Sequence, residues 1–240
     1  MRIWHFADPH DFRFADASRR GTWAPSFSPG PCPECGATQQ RRVPPLVIEW
    51  EPGSEIVGDF TWPGFGSEVV VTEQVLKAFS KRFSGFEPGP VEMFEEPDLD
   101  PEVEQKSRVW LPYQGPKLFE LLTTDWVHLD PDRSSIKPSK PKCSTCGSEA
   151  FELEGVEERR SRWDKVRKEL VRLDTPRLPG KGVYIADCDL DGTSVFRIHE
   201  QPGAVFCTDP VRDFVREGRF TNVSFLEMGE TFDNRGRSSR

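Results

Sequence analysis

The sequence predicts a mixed α+β fold of two strand–helix–strand halves, bridged by a split pair of cysteine knuckles. Three observations predict it. A Cys-x-x-Cys-Gly motif occurs twice, at residues 32–36 and 143–147. A helix with a Thr at its start, set between two apolar runs, also occurs twice, within residues 69–95 and 205–228. Finally, 22 prolines and 19 glycines in 240 residues impose frequent turns, while 18 phenylalanines and 7 tryptophans supply large apolar bodies for an aromatic core.

Along the chain, residues 3–6 (IWHF) read as a short strand, and residues 44–50 (PPLVIEW) as a second. Residues 69–71 form a strand that runs into a helix. Thr72 is the N-cap, its hydroxyl able to accept an otherwise unpaired helix N–H. Val75, Leu76 and Phe79 fall on one face, and the helix ends near Phe83. Residues 91–95 (VEMFE) follow as a strand, and residues 117–126 (KLFELLTTDW) as a short helix. Residues 157–173 read as a charged helix with Trp163, Val166, Leu170 and Leu173 at three-to-four spacing. Its basic residues alternate with Glu157, Glu158, Asp164 and Glu169, the pattern of a salt-bridged surface rather than a nucleic-acid stripe.

DCDLDG, residues 187–192, begins like a calcium loop. The twelfth position of such a loop needs a bidentate Glu and here holds Ile198, between flanks that read as strands. Asp191-Gly192 is therefore expected to turn a β-hairpin. Residues 205–207 form a strand before Thr208, the second N-cap. Pro210 is tolerated in a first helical turn, and Val211, Phe214 and Val215 give the apolar face. A strand over residues 222–228 and a frayed tail end the chain. Setting Thr72 on Thr208 puts Val75 on Val211 and Val91 near Val223, which reads as a weak internal repeat. The expected division is residues 1–150 and 151–240, with one continuous domain as the alternative.

Each cysteine motif is half of a metal site. Two thiolates reach one ion from a tight turn, and the glycine after the second cysteine permits a positive φ. Cys32, Cys35, Cys143 and Cys146 together complete a tetrahedral sulfur shell, the usual structural zinc arrangement, with one Zn2+ per chain expected. Compact ribbons separate their pairs by about 15–20 residues. Here the pairs stand at 35 and 143, so the ion joins distant segments and acts as a stability device. Redox-active pairs, disulfides and free thiols are the competing readings. Cys188 and Cys207 sit in apolar runs and read as buried small hydrophobes.

No catalytic constellation stands out. His5, His10, His128 and His199 lack metal-protease spacing, and no nucleophile elbow or phosphate-binding loop is present. The expectation is a protein that is not an enzyme. Glu95, Glu96, Asp98, Asp100, Glu102 and Glu104 crowd ten residues, as a solvated loop or as a contact strip for a basic partner. A net charge of −8 disfavours phosphate binding and favours a basic protein partner. No apolar run reaches the roughly 20 residues of a membrane helix, and the start lacks a basic end followed by an apolar stretch. A cytoplasmic location is expected, where reduced thiols favour metal over disulfide.

The two CxxCG knuckles, KLFELL before the second, and VFRIHEQPGAVFCTDPVRDFVREGRFTNVSFLEMGE near the end resemble the double-CXXCG motif family of myxobacteria. The likeness spreads over nearly the whole chain. It implies an immunity protein that binds and neutralises the catalytic domain of a cognate toxin in the cytoplasm. It also implies that cysteines 32, 35, 143 and 146 are metal ligands. The acidic charge suits a basic toxin domain such as a nuclease. The alternative is a zinc-ribbon adaptor that binds nucleic acid or a regulatory protein.

Overall fold

A computed structural model describes residues 1–20, 23–25, 32–35, 40–42, 44–64, 67–96, 100–147, 149–164 and 169–234. The first half of the chain runs β1 (Arg2–Ala7), β2 (Ala17–Arg20), β3 (Trp23–Pro25), β4 (Gln40–Arg42), β5 (Leu46–Trp50), β6 (Phe60–Thr61), β7 (Val70–Thr72), α1 (Glu73–Ser80), β8 (Phe86–Met93), α2 (Pro101–Glu104) and β9 (Leu118–Thr123). The rest runs β10 (Trp126–Val127), β11 (Ile136–Lys140), β12 (Ala150–Leu153), β13 (Glu158–Asp164), β14 (Glu169–Thr175), β15 (Val183–Ala186), α3 (Asp187–Leu190), β16 (Val195–Ile198), β17 (Gln201–Thr208), α4 (Asp209–Glu217) and β18 (Ser224–Phe232).

Two six-stranded sheets dominate, ordered β2-β5-β8-β9-β7-β6 and β10-β16-β17-β1-β18-β15. Five consecutive strands of each, all but β2 in the first and β10 in the second, follow one plan. In the first sheet β9 lies antiparallel between β7 and β8, so α1 crosses between two parallel strands over an inserted one. In the second, β1 lies antiparallel between β17 and β18, and α4 makes the equivalent crossing. Outside these, β5 runs parallel to β8 as β15 does to β18, and β6 runs antiparallel to β7 as β16 does to β17. The order differs in that β9 follows β8 along the chain, whereas its counterpart β1 comes from the N-terminus. β1 and β10 thus share a sheet with strands beyond residue 183, across the expected division at residue 150.

The strands alternate as their period of two requires. Trp4, Phe6, Val69, Val71, Leu121, Val205 and Cys207 enter one buried cluster with Val75, Leu76 and Phe79 of α1 and Val211 and Val215 of α4. That cluster draws on both sheets and both helices. Ile3, Ile185, Phe196 and Phe206 belong to a second cluster, and Ile48, Trp50, Val70 and Leu118 to a third. Phe79 and Phe214 meet edge to face across the helix pair, with ring centroids 5.9 Å apart. Polar contacts also tie the halves. Trp62 Nε1 donates to the Asn222 carbonyl at 2.8 Å, and Asn222 Nδ2 donates to the Phe60 carbonyl at 2.9 Å. Gly85 must be glycine: its φ is +93° and a Cβ would lie 1.8 Å from the Val195 carbonyl oxygen.

Several expectations are corrected. Residues 117–126 are not a helix but contain β9, a central strand. Phe119 and Leu121 face the shared cluster while Leu118 faces the third, a two-residue alternation that the Leu118–Leu121–Leu122 spacing masks. The described part of residues 157–173 is not a helix either. Residues 158–164 form β13 and residues 169–173 lie in β14, paired in a register that runs from Glu158 opposite Thr175 to Asp164 opposite Glu169, while residues 165–168, with Val166 of the expected apolar face, lie outside the described set. Interleaved charges of both signs suit a two-stranded ribbon as well as a helix face. Asp191-Gly192 does not turn a hairpin between its flanking strands. Asp187–Leu190 form the short α3, Asp191 takes φ 43°, and β15 and β16 pair with β18 and β17 instead. Cys207 is buried as expected, whereas Cys188 is exposed on α3. Thr72 caps α1 by accepting from Val75 N, while Thr208 heads α4 without a side-chain cap bond. The last strand extends to Phe232, past the expected end at residue 228, and residues 235–240 lie outside the described set.

Candidate metal centre

The second knuckle follows directly from its local sequence. β11 and β12 form an antiparallel hairpin with Cys143 to Cys146 in its connection, and Gly147 takes φ +71° as it leaves the turn. Its N–H donates back to the Cys143 carbonyl at 2.9 Å. The first knuckle is flanked in the same way by the β3–β4 pair, itself inserted between the paired strands β2 and β5. Gly36 lies outside the described residues.

The two knuckles meet. The sulfurs of Cys32, Cys35, Cys143 and Cys146 all lie within 4.8 Å of one another. Cys32 Sγ is 3.7 Å from Cys143 Sγ, and Cys35 Sγ is 3.5 Å from Cys146 Sγ. A tetrahedral ion with metal–sulfur bonds of about 2.3 Å requires sulfurs about 3.8 Å apart. A disulfide would require about 2.05 Å. The four thiols are free of disulfide bonds, and their spacing suits a metal ion.

The knuckles share one pattern of backbone amides but differ in their electrostatic outcome. The Cys32 sulfur accepts from the backbone amides of Cys35 and Glu34, and the Cys143 sulfur from those of Cys146 and Thr145. Such N–H groups stabilise thiolate over thiol. They draw the Cys32 thiol down to about 7. At Cys143 the same amides pull downward, but burial and the Cys146 and Cys35 sulfurs outweigh them and push it up to about 12. Four thiolates cannot share this volume without a cation to offset their repulsion, which is the electrostatic demand a divalent ion meets.

Glu34 joins the two knuckles, a contact that the motif reading missed. Its carboxylate reaches across to the other knuckle and accepts from Ser144 Oγ at 3.0 and 3.1 Å and from Thr145 Oγ1. Those two hydroxyls hold it below the usual carboxylate range. The signal was present in the sequence: an acid between the first cysteines (CPEC) and two hydroxyls between the second (CSTC).

The acidic strip falls partly into one place. Glu95, Glu96 and Glu104 line a cleft of about 250 Å³ with Arg108 and the half-exposed Trp110. Glu96 pairs with Arg20 at 3.0 Å. Asp100 is exposed just before α2, Glu102 is exposed within it, and Asp98 lies outside the described residues. Among the described residues, no helix is long and apolar enough to cross a membrane. No family model matches the chain, and no curated protein matches it.

Proposed function

We propose that the chain is an immunity protein, a metal-stapled scaffold that binds the catalytic domain of a cognate toxin in the cytoplasm and neutralises it stoichiometrically. The observation that carries this reading is the saturated sulfur site. Four cysteines fill every position of a tetrahedral ion, so the ion braces the fold and offers no vacant position to a substrate. The protein then works by shape and field rather than by chemistry, and is not an enzyme. Zinc is the ion this donor set suits best, because four soft thiolates in a tetrahedron favour it over ions that prefer oxygen ligands or higher coordination. One zinc per chain is expected.

The resemblance in the CxxCG pairs and the FTNVSF ending supports the immunity role. So does the charge of −8, since opposite fields speed encounter with a basic toxin such as a nuclease. In this reading the Glu95, Glu96 and Glu104 cleft is one contact surface for it. We also read the two halves as an internal duplication within one continuous domain. The shared strand order and the common core favour this.

Co-expression with the toxic domain encoded beside the gene tests the reading. Growth should be rescued, and the two chains should co-purify as a complex. Failure of both with the correct neighbour refutes it. A second reading, a zinc-ribbon adaptor for nucleic acid or a regulatory protein, draws on the two hairpins that carry the knuckles. DNA or RNA binding that strengthens steeply at low salt would select that reading instead.

A further inference from the structure

A cleft of about 440 Å³ opens where β1 and β18 of one sheet approach β2 and the end of β5 of the other. Its walls carry His5, Asp8, Asp16, Glu51, Trp62 and Arg159. No knuckle cysteine reaches it, and neither does the 95–104 strip.

The walls hold more acceptors than donors. Asp16 is exposed at the cleft wall, and among the described residues one of its carboxylate oxygens accepts from the Ala17 N–H at 2.8 Å. Partial desolvation of its carboxyl, with the neighbouring Asp8 carboxylate adding to it, raises its pKa. The Ala17 N–H and the nearby His10 offset that rise only in part. Glu51 stands exposed at the rim, its N–H donating to the Asp16 carbonyl at 2.9 Å. Asp8 is occupied by His10, at 2.7 Å from its N–H and 3.0 Å from its ring Nδ1. His5 is buried deeply enough to stay neutral, and its Nε2 has no hydrogen-bond partner among the described residues. One donor is also unmet. Arg159 Nη1 donates to Ser224 Oγ and the Asp8 carbonyl, while its Nε is buried without an acceptor.

We propose that this cleft receives a single basic residue of a protein partner, an arginine or lysine presented on a loop. Its cationic head lies between the Asp16 and Glu51 carboxylates. His5 Nε2 accepts one further N–H, and Arg159 Nε donates to the carbonyl of the same residue. Phe12, 87% exposed on the loop that borders the cleft, supplies an apolar contact beside it. Arginine is among the residues most enriched at interface hot spots, which sit in well-packed, desolvated pockets. Identifying the partner as the toxin rests on the immunity reading; the cation site does not.

The test uses the intact, metal-loaded protein. N-acetyl-arginine methylamide is titrated in while the His5 imidazole is followed by 1H–13C NMR. The His5 resonances should move saturably, and N-acetyl-norleucine methylamide should leave them in place. Asp16→Asn with Glu51→Gln should weaken the arginine probe at least tenfold; Glu95→Gln should not. Asn retains the oxygen that accepts from Ala17, and Glu51→Gln alone, at an exposed rim position, serves if the pair fails to fold. An unmoved His5, an equal response to norleucine, undiminished affinity in the variants, or movement with acetate rather than arginine would each overturn the site. Probe binding without growth rescue by the wild-type chain would sink the immunity reading and leave the cation site standing. Full rescue by the Asp16→Asn, Glu51→Gln variant would sink the cleft as the partner's seat and leave immunity standing.

Discussion

Cys32 and Cys143 stand 111 residues apart in sequence, and their sulfurs lie 3.7 Å apart in the fold. An ion between them closes a loop nearly half the length of the chain. In the chain-entropy picture a cross-link over such a loop is worth about 5 kcal/mol.

Replacing Cys143 with Ser should therefore lower stability by about 3–5 kcal/mol, a melting shift of roughly 10 °C for a chain of this size. Chelation of the wild-type protein should reproduce the shift, and chelator should add little to the variant. Differential scanning calorimetry with and without chelator measures both.

Phe79 is fully buried, with ring contacts to Phe60, Phe83, Phe86 and Phe214 at 6.2, 5.4, 6.1 and 5.9 Å. Phe79→Ala should cost about 3–5 kcal/mol, through lost burial and the cavity left between the two helices. Phe12→Ala, at a position 87% exposed, should stay within about 0.5 kcal/mol. Urea midpoints at constant m-value make the comparison.

Glu68 is 1% exposed in its side chain and accepts from Arg19 Nη1 at 2.8 Å, linking β2 to the segment before β7. Glu68→Gln should lose about 1.5–3 kcal/mol, because an ion pair becomes a bond between the Arg19 cation and a neutral amide in a buried place. A Glu68→Leu, Arg19→Met pair should recover part of that loss. A double-mutant cycle reads the coupling.

His5 carries a pH dependence. Burial lowers its pKa from 6.5 to about 4, so the fold keeps the ring neutral while the unfolded chain takes up a proton. Its contribution to stability is complete above pH 6.5 and declines as the pH falls toward 4. Between pH 7 and pH 4.5 the wild type should lose about 2–3 kcal/mol more than His5→Leu. Urea titrations of both proteins at the two pH values test this, and equal losses would exclude the effect.

Much of the local structure was legible because local physics governs it. Thr72 before Val75, Leu76 and Phe79 marks a cap and an apolar stripe, and Glu73–Ser80 is a helix capped as read. The four cysteines were legible because ligand type and spacing restrict them more tightly than any propensity does. KLFELL was misread because Leu118, Leu121 and Leu122 satisfy helical spacing as well as strand alternation, and only the neighbours β7 and β8 decide between them. The charged run at 157–173 failed similarly, since cross-strand pairing and i,i+4 pairing use the same residues. The strand β1 gave no hint that it would complete a sheet formed by the chain's far end. The cleft at His5 was invisible in sequence for the same reason, because residues 5, 16, 51 and 159 meet only after both sheets have formed.

X-ray absorption of the purified protein, combined with elemental analysis, tests the central claim most directly. The account predicts one zinc per chain with four sulfur neighbours at about 2.3 Å. Protein prepared under reducing conditions that folds and melts normally with no bound metal, or an ion whose neighbours are nitrogen or oxygen, would contradict it.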